Sequence, residues 1–175
     1  NRLALEGFLA IAPDLFDGRV TSDPQIAGSM MMGLSQERAL AKLDAMVCFV
    51  RQAGSEMVGV MGYCMGGSHA LMLSIHDPSV AASVPFYGQV PGDDILQGLN
   101  SPVLYIYAGK DQWITEDEVN RLDKYLKEKG QLGEVVRYPE CDHAFFNDTR
   151  EEVYDKSNAG DAWERAVAFL RVHLR

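Results

Sequence analysis

Apolar residues fall along this chain in two patterns: short unbroken runs closed by Gly or Pro, and longer stretches in which they recur every three to four positions. The runs "GFLAIAP" (7–13), "EMVGVMG" (56–62), "VAASVPFYG" (80–88), "PVLYIYAG" (102–109) and "EVVRYP" (134–139) predict five buried strands, because a strand covered on both faces reads as a continuous apolar run. From Ser35, a suitable N-cap, Ala39, Leu40, Leu43, Met46, Val47 and Val50 keep helical spacing until Gly54. Helices are also predicted over 67–76, ended by Asp77 and Pro78, over 116–129 with the stripe Val119, Leu122, Leu126, and over 161–174 with Trp163, Ala166, Val167 and Leu170 on one face. Residues 14–35, rich in Gly, Asp, Ser and Met and containing Pro24, read as a long loop with one short helix, and loops of that length tend to be functional or mobile. Strands alternating with helices predict an α/β fold, a mostly parallel sheet with helices on both faces.

The opening "NRLALEG" changes this picture at one end. Arg2 to Glu6 reads as the last turns of a helix that runs through Gly7 into the first strand, and residue 1 is Asn. The expectation is the C-terminal part of a longer fold, or a short member of its family. With 175 residues, 47% of them hydrophobic, the chain suits one core, and no linker or repeat interrupts it, so a single domain over 1–175 is expected.

A formal net charge of −9 without a basic stripe argues against nucleic acid and anionic membrane surfaces as partners, since both carry the same sign. No apolar run approaches the roughly 20 residues of a membrane span, and no signal-like segment opens the chain; a cytoplasmic location is expected. Cys48, Cys64 and Cys141 are odd in number and far apart, which fits neither a disulfide framework nor a structural zinc site. No metal or organic cofactor is expected.

The chemistry concentrates at "GVMGYCMGG" (59–67), where Gly62-Tyr63-Cys64-Met65-Gly66 places a cysteine between a strand and a helix. A nucleophile elbow needs small residues two before and two after the reactive one, so that strand and helix can approach around a sharp turn. The helix N-terminus behind it favours a thiolate. The plainer alternative makes Cys64 a small buried hydrophobe in a glycine-rich turn.

A thiol needs a base. His69 and His76 run down the helix away from Cys64, and His173 lies in the last helix. His143 instead follows the fifth strand in "ECDHAFFND", on the sheet edge where Cys64 is expected. In "PVLYIYAGKDQWI", Asp111 follows the fourth strand and is placed to orient that histidine; Asp142 competes for the role. Cys64, Asp111 and His143 then stand in the order nucleophile, acid, histidine, the order of α/β-hydrolases.

At these residues the chain resembles the dienelactone hydrolase (carboxymethylenebutenolidase) family. The likeness extends over nearly the whole sequence, through "LALEGFLAIAPDLF", the cysteine elbow, "YAGKDQWI" and "CDHAFFND". It implies an α/β-hydrolase-type sheet lacking the first N-terminal strands, with Cys64 as nucleophile, Asp111 as acid and His143 as base. It also implies a glutamate near the cysteine and a loop giving one oxyanion N–H, both expected to precede Asn1. The Met65 backbone N–H supplies the other half of that hole. Family members bind a substrate carboxylate through arginines; Arg19 is the candidate here, while Asn147 occupies the second position, with Arg150 nearby.

The function expected is hydrolysis of a small ester or lactone through a thioester, with Tyr63, Trp113 and Phe145, and also Phe16 and Phe146, shaping the substrate site. Two other readings compete. One is a catalytically idle hydrolase-like domain used in binding or assembly, with a homodimer or covering partner at an exposed sheet edge. The other is a redox-sensing thiol with Cys141 as resolving partner.

Overall fold

The computed structural model describes residues 2–130 and 132–175. Two compact units follow one another, the first ending at Ser55 and the second starting at Glu56.

In the first unit, helix α1 (Arg2–Leu5) leads into an irregular segment, then α2 (Pro24–Met32) and α3 (Gln36–Gln52). Local capping fixes both longer helices. Asp23 accepts from the N–H groups of Gln25 and Ile26 at 2.8 and 3.3 Å, and Pro24 takes the first helical position, where no N–H is needed. Ser35 accepts from Arg38 N–H, and Ala39, Leu43 and Val47 form the buried stripe of α3. Asp17 bridges Arg38 and Lys42.

The strand expected over 7–13 does not form. Residues 8–14 have no regular structure, and Leu9 and Ile11 are exposed. An apolar run becomes a strand only when a neighbour completes its ladder, and no described strand pairs with this one.

The second unit is a four-stranded sheet, β1 (Val58–Tyr63), β2 (Val80–Phe86), β3 (Val103–Ala108) and β4 (Gly133–Tyr138), in spatial order β1-β2-β3-β4 and parallel throughout. Four of the five expected strands are therefore present. The helices are α4 (Met65–His76), α5 (Asp93–Leu96), α6 (Glu116–Glu128) and α7 (Lys156–His173). Every residue of β3 is buried, which is why "VLYIYA" shows no polar alternation. Val103, Tyr105 and Tyr107 join Leu71 of α4 and Val119, Leu122 and Leu126 of α6 in one core cluster. By the two-residue period, Leu104, Ile106 and Ala108 face the opposite side, and α7 packs across β2 and β3. Thr115 and Glu118 cap α6 reciprocally.

Helix α7 begins five residues before the expected start, at Lys156, because Asp155 caps it and Ala159 and Ala162 extend its buried stripe. The registers Tyr63↔Phe86, Phe86↔Ile106 and Ala108↔Tyr138 bring the carboxyl ends of all four strands level. Side chains just beyond those ends share one rim, where ligands of open α/β sheets bind. No described helix is long and apolar enough to cross a membrane.

Candidate active site

Cys64 is the first residue after β1 and the cap of α4, with φ 53° and ψ −119°. A non-glycine residue with positive φ is strained, and such strain persists only where surrounding contacts impose it. Here the Cys64 N–H donates to Phe86 O at 3.0 Å, tying the turn to the end of β2, while the Cys64 carbonyl accepts from Ser68 N–H at 3.0 Å. The Cys64 side chain is exposed.

The glycines around it divide the work differently from the elbow rule. A Cβ on Gly62 would lie 2.0 Å from Gly66 O, so the position two before the cysteine must be Gly. A Cβ on Gly66 would meet nothing within 4 Å. The tight approach lies one residue later: a Cβ on Gly67 would sit 2.5 Å from Phe86 O, and one on Gly88 would sit 2.3 Å from Gly67 C. Gly67 and Gly88, far apart in sequence, let the start of α4 seat on the end of β2.

His143 and Asp111 meet as a pair. Nδ1 of His143 lies 2.6 Å from Asp111 Oδ2, and the two side chains are 9% and 0% exposed. The other carboxylate oxygen, Oδ1, accepts from the N–H groups of Trp113 and Ile114 at 2.9 and 3.0 Å. One oxygen thus builds the turn after β3 while the other faces the imidazole. His143 Nε2 is buried, with no hydrogen bond of ordinary geometry to a described residue. Its electrostatic partner is the Cys64 thiol. Interaction with His143 holds that thiol below its ordinary pKa against the cost of partial desolvation, assisted by the Met65 N–H. Conversely, burial works against the imidazolium, but Asp111 and Cys64 outweigh it and raise His143 from 6.5 to about 9. Both displacements favour thiolate and imidazolium together.

The rings around His143 are Trp113, edge-on at 4.5 Å between centroids, and Tyr87, tilted at 4.8 Å. Trp113 is 69% exposed. Tyr63 is half-buried, stacked on Phe146 at 5.0 Å and tilted on Phe86 at 4.6 Å. Phe145, expected to shape the substrate site, is fully buried between Tyr87 and Tyr138; its place is in the core beneath the histidine loop. Phe146 is buried as well.

Arg19 belongs to the first unit, where its Nε donates to Phe16 O at 3.3 Å. Arg150 pairs with Glu152 at 3.0 Å, and Asn147 accepts from Thr149 within its own turn. His69 is half-buried, and burial lowers its pKa; His173 packs on Phe169. Cys141 is buried, burial and the Asp155 charge raise its pKa to about 11, and its thiol donates to Asp155 at 3.8 Å. A resolving cysteine would have to leave that arrangement and ionise.

Tyr87 was not among the sequence candidates, since it read as the end of a strand. It has φ 38°, lies 2% exposed, and its hydroxyl is held above its ordinary pKa by burial, then by Tyr63 and Cys64 nearby. No described group of three or more His, Cys, Asp or Glu side chains gathers as a metal site would.

Known proteins carry the same chain pattern. The sequence profile described as the dienelactone hydrolase family matches residues 1–174. Protein usf of Aquifex pyrophilus is 36% identical over 99% of this chain and 79% of its own length. A protein of Aquifex aeolicus provisionally named carboxymethylenebutenolidase is 35% identical over the whole chain and 79% of its own. Among solved structures, a provisionally named dienelactone hydrolase of Klebsiella pneumoniae superposes with a TM-score of 0.84 at 32% identity, covering 95% of this chain and 76% of that one. With a match that runs nearly end to end and a parallel sheet whose rim carries cysteine, aspartate and histidine in hydrolase order, this chain belongs to the dienelactone hydrolase family.

Proposed function

We propose that the chain hydrolyses small carboxylic esters or lactones with Cys64 as nucleophile, His143 as base and Asp111 as the group that orients the histidine. The observation that carries this reading is the 2.6 Å contact between His143 Nδ1 and Asp111, which leaves Nε2 for a thiol mounted on a strained strand-to-helix turn.

Asp111 holds the proton on Nδ1, so Nε2 takes the proton of Cys64 and a thiolate–imidazolium pair results. The thiolate attacks the ester carbonyl. Charge moves to the carbonyl oxygen, for which the Met65 N–H at the start of α4 is the donor. As the intermediate collapses, the carbon–oxygen bond breaks and the imidazolium gives its proton to the departing oxygen, leaving a thioester on Cys64. Water, deprotonated by His143, attacks the thioester and releases the acid and the thiol. In a lactone the departing oxygen remains tethered to the acyl group, and ring opening and acylation are one step.

Trp113 and Tyr63 serve in this reading as walls for the substrate. The profile match through residues 1–174 supports treating both units as one hydrolase domain. A thiolate nucleophile suits a reducing compartment such as the cytoplasm.

The test is hydrolysis of p-nitrophenyl acetate and of a dienelactone by the wild-type chain, Cys64→Ala and His143→Ala, with folding checked by circular dichroism. Turnover should vanish in C64A with the fold intact. Full turnover in C64A would remove Cys64 from the reaction, and no turnover in a folded wild type would favour a binding or assembly role.

A further inference from the structure

One residue outside the loop that carries His143 contacts it on both sides of the histidine. Asp155, the cap of α7, grips it at two points placed symmetrically about the histidine. Two residues before His143, the Cys141 thiol donates to Asp155 Oδ2 at 3.8 Å. Two residues after it, the Phe145 carbonyl accepts from the Asp155 N–H at 3.0 Å. The carboxylate is itself fixed, since Oδ1 accepts from Asn158 N–H at 3.0 Å and Oδ2 from Asn158 Nδ2 at 2.8 Å.

The same loop is joined to the aspartate loop through its backbone. Cys141 O accepts from Lys110 N–H at 2.9 Å, and Tyr138 O accepts from Gly109 N–H at 2.8 Å. Lys110 precedes Asp111 directly, so the carbonyl and thiol of Cys141 link the acid on one side to α7 on the other. The Lys110–Glu140 ion pair also spans the two loops, but both side chains are more than half exposed, and such pairs contribute little. The backbone and part-buried contacts hold the loop more firmly.

We propose that Asp155 is a positioning residue for His143, clamping its loop through Cys141 on one side and Phe145 on the other so that the imidazole stays between Asp111 and Cys64. This rests on the Cys64–Asp111–His143 reading and adds to it what fixes the base. A displacement of about 1 Å at a catalytic group can cost as much as about 10²-fold in rate, and a loop histidine holds its place only as well as its supports do.

The variants separate this role from simple stability. Asp155→Asn keeps the backbone N–H and a competent helix cap but loses the acceptor of the Cys141 thiol. Cys141→Ala deletes the donor, and Cys141→Ser restores one. Two readouts follow the histidine: the pH midpoint of Cys64 alkylation by iodoacetamide, measured by mass spectrometry of the Cys64 peptide, and the split between kcat and KM for p-nitrophenyl acetate. In D155N and C141A the midpoint should rise and kcat fall about tenfold while KM stays within about twofold. C141S should keep the wild-type values.

A D155N protein that melts earlier yet keeps the wild-type midpoint and kcat would overturn the proposal. If D155N does not fold, the cysteine pair decides, and C141A identical to wild type in both readouts overturns it. A wild-type midpoint that His143→Ala leaves unmoved would mean instead that the triad reading has failed, and the clamp with it.

Discussion

Replacing Asp111 by Asn tests the electrostatics of the site with little change of shape. Asn can keep an oxygen toward the N–H groups of Trp113 and Ile114, which Oδ1 now receives at 2.9 and 3.0 Å, so the turn after β3 survives. Its amide nitrogen then faces His143 Nδ1, where Oδ2 now lies at 2.6 Å. Nδ1 must become the acceptor, and the ring proton moves to Nε2, the nitrogen that receives the Cys64 proton in the proposed mechanism. On the scale known for the same exchange in a serine triad, turnover falls about 10⁴-fold.

Stability should change with a definite pH dependence. His143 is raised from 6.5 to about 9 in the folded chain, and at about 1.36 kcal/mol per pKa unit this corresponds to roughly 3 kcal/mol of stabilisation. Because the folded value is the higher one, that contribution is complete below about pH 6.5 and disappears as pH rises through about 9. Asp111 shares it with Cys64, so D111N should lose up to roughly 3 kcal/mol at pH 6 and much less at pH 10. Urea unfolding of both proteins across that range measures the difference directly. A stability loss of equal size at pH 6 and pH 10, or unchanged ester turnover, would refute the argument.

Other perturbations follow from single contacts. Gly66→Ala should be tolerated with an unchanged or higher melting temperature, whereas Gly67→Ala forces a Cβ against Phe86 O and should cost roughly 2 kcal/mol or more together with Cys64 reactivity; equal melting temperatures would contradict this. Ser83 is fully buried in β2 and its hydroxyl has no hydrogen-bond partner among the described residues, so Ser83→Ala should stabilise by about 1 kcal/mol in urea unfolding. Ala144, next to His143, has φ 67°, and Ala144→Gly should relieve about 1 kcal/mol of backbone strain, read as a higher unfolding midpoint.

Sequence pattern made the sheet of the second unit legible because all four strands are apolar runs bounded by turn residues, and β3, buried along its whole length, is the clearest. The same pattern misled at 7–13. An apolar run records that a segment is fit to be a strand; pairing depends on a neighbour that lies elsewhere in the chain. The start of α4 was hidden for the opposite reason. The helix expected from Gly67 starts two residues earlier, at Met65, since the contact of Gly67 with β2 overrides the poor propensity of the paired glycines.

The rim positions of Cys64, Asp111 and His143 were legible residue by residue, because each lies shortly after a strand end and a parallel sheet sends all such positions to one rim. What holds these residues in place was not. The Gly67–Gly88 contact, the Cys64–Phe86 hydrogen bond and the Asp155 grip on both sides of His143 join residues 10 to 22 positions apart, and no local spacing marks them. Tyr87 shows the difference within one residue: its strand-like sequence conceals a positive φ, and that turn puts its ring against His143. A cysteine at φ 53° has to be held there by its neighbours, because the elbow is disfavoured for the residue that occupies it. The contacts that impose this conformation are as much a part of the candidate site as the three side chains at its centre. They are also where substitutions should weaken reactivity without touching any atom that reacts.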